Sequence, residues 1–291
     1  MYDMKLSLFT NDDGFPFFIQ YGYHDTSMFI HNHKDFFELV IVLDGKATHV
    51  VGDEKFPIKK GDVFVMGQGV SHEYIDVDSF RICNIMFRPE FFLSANYDIK
   101  QFPGFHALFI LEPQFNSERG FKSYLKLSAH DFLALENIID AAIKEYRENN
   151  PGRKTLLIGY FLQIIVMLSR LYSKTDSAKE IEGIANAAAY MESHYKEHIS
   201  IEELINISHY SSRHFLRLFN STYRTSPQAY LTGIRLRHAC SLLCDTNLSV
   251  TEIALQCGFN DPNYFGRIFK KNIGIAPGTY RKTAVTHNGN G

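Results

Sequence analysis

Cysteine is scarce in this chain of 291 residues, and its four copies are not spaced as metal or redox pairs. Cys240 and Cys244 lie four residues apart on a predicted helix, so both face one side, and we interpret them as small core residues. The sequence contains no CxxC pair and no cysteine spacing typical of a zinc site. We therefore expect no disulfide framework, as is usual in a reducing compartment.

Long apolar runs are also absent. The most apolar segment, Leu156–Leu168, is shorter than the ~18–20 residues that a membrane span needs, and it contains Gly159 and Gln163. The first residues do not form the apolar core of a secretory signal. These absences favour a cytoplasmic protein that has no membrane partner.

The charges are divided unevenly along the chain. The net charge of −2 separates into +4 for residues 183–291 and −6 for residues 1–182. A hydrophobic content of 45% over this length suits about two domains with sizeable cores. The basic C-terminal part is thus the one expected to meet an anionic partner.

Short β-rich segments dominate residues 15–92, and glycine-containing turns separate them. The segment Phe37–Val42 is the clearest strand, and Asp44-Gly45 after it predicts a hairpin turn. Further strands are predicted over 47–51, 55–58, 62–66 and 80–87. Many short strands at even spacing indicate an all-β sandwich or small barrel.

Two helices are predicted in the middle of the chain. Ser128 and Asp131 form a helix start, and apolar residues then recur at helical spacing as far as Tyr146. The second helix, from about Lys154 to Tyr172, is apolar on more than one face and needs cover on two sides. Packing on the β domain and a homodimer contact are the two interpretations, and residues 173–177 are the predicted linker.

Two helix-turn-helix units in tandem are predicted after residue 180. In the first, Ser200 and Glu203 form a capping box before one helix, and Ser211 caps the next. In the second, Ser249 and Glu252 form the box, and Asp261 caps a helix that begins with proline.

The second helix of each unit carries polar side chains off its apolar face, which is how such a unit enters the major groove. Arginine can bridge guanine O6 and N7, and asparagine can bridge adenine N6 and N7. A four-helix bundle that serves as a protein-interaction module is the alternative, but it does not require a basic second helix in both units.

The second unit also carries a family resemblance. Residues 249–271 (SVTEIALQCGFNDPNYFGRIFKK), together with 274–281 (GIAPGTYR), 226–231 and Arg235-Leu236, resemble the signature of AraC/XylS transcription regulators. This resemblance covers about a hundred residues and implies two recognition helices in successive major grooves of one DNA face. By position it implies these DNA-contacting residues: Ser212, Arg213, Arg217, Asn263, Tyr264, Arg267, Lys270 and Lys271.

Two positions depart from the family pattern. Leu216 is apolar where relatives often place a polar reader, and Gly266 has no side chain to make a contact. Among the implied residues, the base readers expected from the chemistry are therefore Arg213, Arg217, Asn263 and Arg267.

A second resemblance concerns the N-terminal histidines. His31, His33 and Glu38, followed by Gly45 and later by His72, are spaced as in a cupin, with Gly67 in place of the usual proline. In cupin enzymes the matching residues bind a metal, and three imidazoles with a carboxylate suit Fe, Mn, Zn or Ni. Regulators of the AraC/XylS family use cupin-like barrels to bind small effectors, and many carry similar histidines without a metal.

We therefore predict an effector site with no metal, no cofactor and no catalytic residue. A metal-assisted site and purely structural histidines are the alternatives. His24 and His106 are given no role. Residues 35–40 (DFFELV) and 84–89 (NIMFRP) resemble rhamnose-responsive regulators, which suggests a sugar as the effector. The predicted effector-binding residues are His31, His33, Glu38, His72, Tyr74, Ile82, Asn84 and Arg88.

The predicted fold class is α+β. It consists of a cupin-like β-barrel with helices over residues 1–120, a helical dimerisation or packing segment over 121–175, a tandem helix-turn-helix domain over 176–282 and a disordered tail over 283–291. The predicted function is an effector-responsive regulator, an activator of carbohydrate-utilisation genes. Its expected partners are double-stranded DNA, a second copy and RNA polymerase. A cupin-type metalloenzyme, an isomerase or dioxygenase, is the alternative.

Overall fold

The chain folds into two compact units. The computed structural model describes residues 2–12, 14–90, 96–114 and 124–288, without the side chains of 176–180 and 284–288. One unit comprises 1–93 and 102–185, and the other comprises 94–101 and 186–291. The first is rich in sheet and the second is helical, which confirms the predicted fold class. The four-part domain division given above stays a prediction.

The described strands of the first unit form one eight-stranded sheet. Its order is β1-β3-β7-β4-β6-β8, and β2 pairs with β7 while β5 pairs with β4. The strands are β1 (Tyr2–Met4), β2 (Phe17–His24), β3 (Met28–His33), β4 (Phe37–Val51), β5 (Glu54–Lys59), β6 (Asp62–Met66), β7 (His72–Phe87) and β8 (Leu125–Lys126).

The hairpin turn predicted at Asp44-Gly45 is wrong, because β4 continues through these residues. β4 pairs with β7 from Phe37 to Val51, and the register shifts around Asp44, as in a β-bulge. Gly45 has a φ of 71°, and a Cβ there would lie 2.2 Å from the carbonyl oxygen of Ser79. Glycine therefore lets β4 bend against β7 instead of turning back.

The bulge also changes which side chains of β4 face the interior. Before it the inward residues are even-numbered, such as Val40 and Val42, and after it they are odd-numbered, such as Ala47 and Val51. These four pack in one buried cluster with residues of β6 and β7. Both halves of β4 thus line the same interior, although simple alternation would turn one half outward.

Two long helices lie in the first unit, α1 (Ala129–Glu148) and α2 (Arg153–Tyr172), and both were predicted. Shorter helical segments of this unit lie at Leu6–Leu8, Pro103–Phe105 and His106–Leu111. Ser128 caps α1 by accepting a hydrogen bond from the backbone N–H of Asp131. Among the described helices, α2 alone is long and apolar enough to cross a membrane by composition. It packs against α1 and buries side chains such as Phe161 and Leu168, as a core helix does.

The remaining helices begin with α3, which runs across the limit between the units. They are α3 (Asp176–Ser193), α4 (Ile201–Ser208), α5 (Ser212–Tyr223), α6 (Pro227–Asp245), α7 (Val250–Gln256), α8 (Pro262–Ile273) and α9 (Pro277–Asn288). The pairs α4–α5 and α7–α8 are the two predicted helix-turn-helix units, and α6 connects them.

The predicted caps are present, with one difference. The box at Ser249 is complete, since Ser249 accepts from Glu252 N–H and the Glu252 carboxylate accepts from Ser249 N–H. At Ser200 the serine caps as predicted, but the Glu203 carboxylate accepts a hydrogen bond from Tyr190 Oη at 2.5 Å. The Glu203 side chain, which was expected to complete the capping box at Ser200, therefore ties the first helix-turn-helix unit to α3.

Candidate functional site

The second helix of the first helix-turn-helix unit, α5, has one buried and one exposed face. Its N-cap Ser211 accepts a hydrogen bond from the backbone of His214. Phe215 and Phe219 are fully buried, whereas Arg213 and Arg217 are exposed, as is Ser212 at the start of the helix. An Arg217 nitrogen lies 3.2 Å from Nδ1 of the His214 ring. The exposed face thus presents two guanidinium groups beside a helix N-terminus.

The second helix of the second unit, α8, repeats this arrangement. Asp261 caps it by accepting from Asn263 N–H at 2.8 Å, and Phe265 and Phe269 are fully buried. The residues predicted to contact DNA are all exposed on this helix, namely Asn263, Tyr264, Arg267, Lys270 and Lys271. Leu216 and Gly266, which depart from the family pattern, are half-buried.

These two faces have the chemistry that double-stranded DNA requires. Arginine and asparagine side chains reach base edges, while lysine ammonium groups and helix N-termini hold phosphates. Each face is backed by aromatic rings in contact, 5.7 Å between the Phe215 and Phe219 centroids and 5.5 Å between those of Phe265 and Phe269. The polar side chains therefore project from a rigid support.

In the sheet-rich unit, four of the predicted effector-site residues meet inside the sheet. His33 of β3 and His72 of β7 approach each other, with 3.3 Å between their Nε2 atoms. The Glu38 carboxylate of β4 lies 3.6 Å from His33 Nε2 and 4.0 Å from His72 Nε2. The His31 ring is 4.3 Å from that of His72, centroid to centroid. All four residues are at most 3% exposed.

A further buried histidine, His49, belongs to this cluster and was missed from the sequence. Its Nε2 lies 3.2 Å from Nδ1 of His72, and its ring stacks on Phe64 with 4.7 Å between centroids. His49 faces inward because it follows the Gly45 bulge. His49, His72 and His33 form a hydrogen-bonded row, so the tautomer of one neutral ring fixes those of its neighbours.

Burial keeps this cluster uncharged near neutral pH. Desolvation lowers the pKa of His33 and of His49 to about 3, and it lowers the pKa of His72 and of His31 as well. Desolvation also raises the pKa of Glu38 to about 8. The short distances between Glu38 and the imidazoles are therefore contacts of neutral groups.

The other predicted effector residues lie in different surroundings. Tyr74 is 1% exposed and Asn84 is 7% exposed. Among the residues that the structure describes, neither the Tyr74 hydroxyl nor Oδ1 of Asn84 has a hydrogen-bond partner. Ile82 belongs to the apolar core beside Tyr74. Arg88 is half-buried and forms an ion pair of 2.9 Å with Asp35.

The same histidines have the spacing of metal ligands. One ring nitrogen each of His31, His33 and His72 lies within 4.8 Å of the others. His31 Nδ1 donates to the Phe29 carbonyl at 3.1 Å, which leaves its Nε2 lone pair for a ligand. Nδ1 of His33 has no partner in the described part of the chain, whereas a metal-bound imidazole usually donates its second N–H. The distances among the three histidines fit a divalent ion, but the hydrogen bonds that would support such a site are only partly present.

Two family descriptions match the chain, one for each unit. An AraC-like ligand binding domain matches residues 15–159, and a helix-turn-helix domain matches residues 204–283. Together they cover more than three quarters of the sequence, and they include every residue discussed above as a candidate site.

Curated relatives align with this chain over most of their length. The chain is 25% identical to the HTH-type transcriptional activator RhaR of Mannheimia succiniciproducens, over 93% of both chains. It is 27% identical to the lactose operon transcription activator of Staphylococcus xylosus, over 84% of this chain and 82% of that one. A solved AraC-type regulator from Chromobacterium violaceum aligns with 37% of this chain and 96% of its own, at 28% identity and a TM-score of 0.34.

The two family descriptions and the curated relatives confirm the predicted effector-responsive, DNA-binding transcription regulator and overturn the alternative of a metalloenzyme. They also agree with the AraC/XylS resemblance of the sequence in α7 and α8 and with the prediction of an effector-binding domain in the sheet-rich unit. This chain belongs to the AraC family of transcription regulators.

Proposed function

We propose that the buried cluster binds a neutral sugar and that the chain, once occupied, activates genes of carbohydrate use. The observation that carries this proposal is the set of buried polar atoms that lack partners in the described residues: Tyr74 Oη, Asn84 Oδ1 and His33 Nδ1. A buried polar group without a hydrogen bond costs free energy, and a ligand hydroxyl can satisfy it.

A neutral sugar suits these groups better than an ion. Each neutral imidazole offers one donor and one acceptor, which matches a hydroxyl that both donates and accepts. Glu38, with its pKa raised to about 8, is protonated at neutral pH and adds a further donor. A rhamnose-like sugar fits this chemistry, and the relatives above are named as activators, one of them of a lactose operon.

DNA recognition is assigned to the two exposed faces of α5 and α8. Arg213, Arg217, Asn263 and Arg267 read bases, while Lys270 and Lys271 hold phosphates. The partly exposed apolar side of α2 is the proposed contact with a second copy, and RNA polymerase is the proposed partner at the promoter. A regulator that reads chromosomal DNA acts in the cytoplasm.

The effector site is tested by calorimetric titration of the full chain with L-rhamnose, other neutral sugars and lactose. Tyr74→Phe removes only the hydroxyl, and a lost neutral hydrogen bond of about 1 kcal/mol should weaken binding roughly fivefold. Tyr23→Phe is the matched control, because Tyr23 is 68% exposed. Binding that is equally strong in both variants would contradict the proposed site.

Metal content, measured by elemental analysis, separates the two remaining interpretations. One equivalent of a transition metal that the His33→Gln variant no longer retains would support a metal-assisted site. If the protein is metal-free and no sugar binds, the histidines are structural, and the effector proposal fails.

The DNA interface is tested by mobility shift on the chain's own upstream DNA at several salt concentrations. Arg267→Ala should lose about 1–3 kcal/mol on the operator and little on random DNA. Lys271→Ala should weaken binding to both and reduce the salt slope by about 1. Equal losses of Arg267→Ala on operator and random DNA would refute its role as a base reader.

A further inference from the structure

The two helix-turn-helix units are joined by a second connection besides α6. The segment between α3 and α4 enters the first unit, and its residues Tyr195 and Lys196 also touch the turn of the second unit. A Cβ on Gly258 would lie 2.7 Å from the carbonyl oxygen of Tyr195 and 2.8 Å from that of Lys196. The backbone of that turn therefore lies directly on the segment that leads into the first unit.

Arg235 of α6 fastens this contact. Its Nε donates to the Tyr195 carbonyl at 2.7 Å, and a terminal guanidinium nitrogen donates to the Glu197 carbonyl at 2.7 Å. The same guanidinium lies 5.7 Å from the ring centroid of Phe259, the residue after Gly258. One side chain thus contacts the connecting helix, the entry to the first unit and the turn of the second.

Ring stacking strengthens the contact between α6 and the segment that leads into the first helix-turn-helix unit. His238, one turn after Arg235 on α6, stacks on Tyr195 with 4.0 Å between ring centroids and 5° between the ring planes. Phe259 is 4% exposed, so this side of the contact is closed to water. Charge-assisted bonds to two carbonyls at such a place resist shear, because both must break for α6 to slide.

We propose that Arg235, with Tyr195 and His238, is a brace that fixes the separation of the recognition helices α5 and α8, and thereby the spacing of the two DNA half-sites. Arg235 touches no base in this assignment and acts as a positioning residue. The proposal rests on the proposed function in one respect, that both helices read one operator.

A rigid separation makes operator spacing a determinant of affinity. Adding one base pair moves one half-site by about 3.4 Å along the helix axis and by roughly one tenth of a turn around it. A braced pair of helices cannot follow both displacements, whereas a pair joined by α6 alone can adjust. The brace therefore makes binding specific for the spacing between the two half-sites, although no side chain contacts the added base pair.

The test measures affinity of the full chain for operators with the native spacing and with one base pair added or removed. The wild type should lose at least tenfold on the altered operators, and Arg235→Ala less than threefold. Arg267→Ala is the comparison variant, because loss of a base reader should lower affinity at the native spacing, whereas loss of the brace should raise affinity for the altered operators.

Each outcome decides between the two proposals. A wild type that binds all spacings equally refutes the brace, and the two-helix interface fails as well only if Arg213→Ala leaves the affinity for the native operator unchanged. A wild type with a sharp preference that Arg235→Ala fully retains refutes the brace. His238→Ala removes only the stacking and should give an intermediate preference, and it provides the same test if Arg235→Ala does not fold. Arg235→Lys keeps the charge without the planar fork and should not restore the wild-type preference.

Discussion

Acidification should destabilise the sheet-rich unit through its buried histidines. In the unfolded chain these imidazoles titrate near pH 6.5, whereas burial lowers the pKa of His33 and of His49 to about 3 in the folded state. Stability from such a depressed pKa is present above the unfolded value and is lost as the pH falls below it. Between pH 7 and pH 5 each of these two groups should lose about 2 kcal/mol, and the lowered pKa values of His72 and His31 act in the same direction.

Glu38 acts in the opposite direction. Its folded pKa of about 8 lies above the unfolded value of 4.5, so the folded state gains stability as the pH falls through this range. This gain is about 2–3 kcal/mol between pH 7 and pH 5, so His33, His49 and Glu38 together leave a net loss of about 1 kcal/mol, which the lowered pKa values of His72 and His31 enlarge. Such a loss is measurable against the 5–15 kcal/mol that typically holds a domain together.

Scanning calorimetry and urea unfolding of the full chain at the two pH values measure this difference. Glu38→Gln removes the opposing group and should enlarge the loss to about 4 kcal/mol or more, while His49→Gln should reduce the loss by about 2 kcal/mol. His130→Gln is the control, since that side chain is 93% exposed. An unfolding free energy that is the same at pH 7 and pH 5, or a Glu38→Gln variant with no steeper dependence, would refute the reasoning.

Three substitutions, two of them with a matched control, test the local physics of the fold by urea unfolding. Gly45→Ala should cost about 2–4 kcal/mol, because its Cβ meets a carbonyl at 2.2 Å, whereas Gly52→Ala, also at positive φ but with no atom within 4 Å, should cost only about 1 kcal/mol. Phe265→Ala should cost about 3–5 kcal/mol from the cavity, and Tyr264→Ala on the exposed face far less. Ser249→Ala should cost about 1 kcal/mol by breaking its capping box, and an unchanged midpoint would show that the box is not stabilising.

The helical unit was the easier part to predict because its signals are local. Ser249 marks one helix start and the pair Asp261-Pro262 marks another, and each signal needs no more than four neighbouring residues. The structure begins α7 and α8 at these two places. The aromatic spacing of Phe265 and Phe269 then fixes the buried face. The contact of Gly258 with the Tyr195 carbonyl joins residues far apart in the sequence, so no local pattern indicates it.

The sheet-rich unit shows the limit of such reasoning. Asp44-Gly45 has the composition of a hairpin turn, and the distinction between a turn and a bulge depends on where β7 lies. Because the bulge was not foreseen, alternation along β4 did not place His49 beside Glu38. The histidines with motif spacing were found, and the one that needs the bulge was missed.

The pairing of β4 with β7 has a consequence for how relatives diverge. The pairs Val40–Asn84, Val42–Ile82 and His49–Tyr74 lie directly opposite each other along this ladder and share its inner face. Backbone hydrogen bonds hold the ladder and do not depend on side-chain identity. On the proposed effector site, single substitutions at these pairs would change which effector binds while the backbone stays the same. A new regulatory input would then arise without a change in the operator that the helices read.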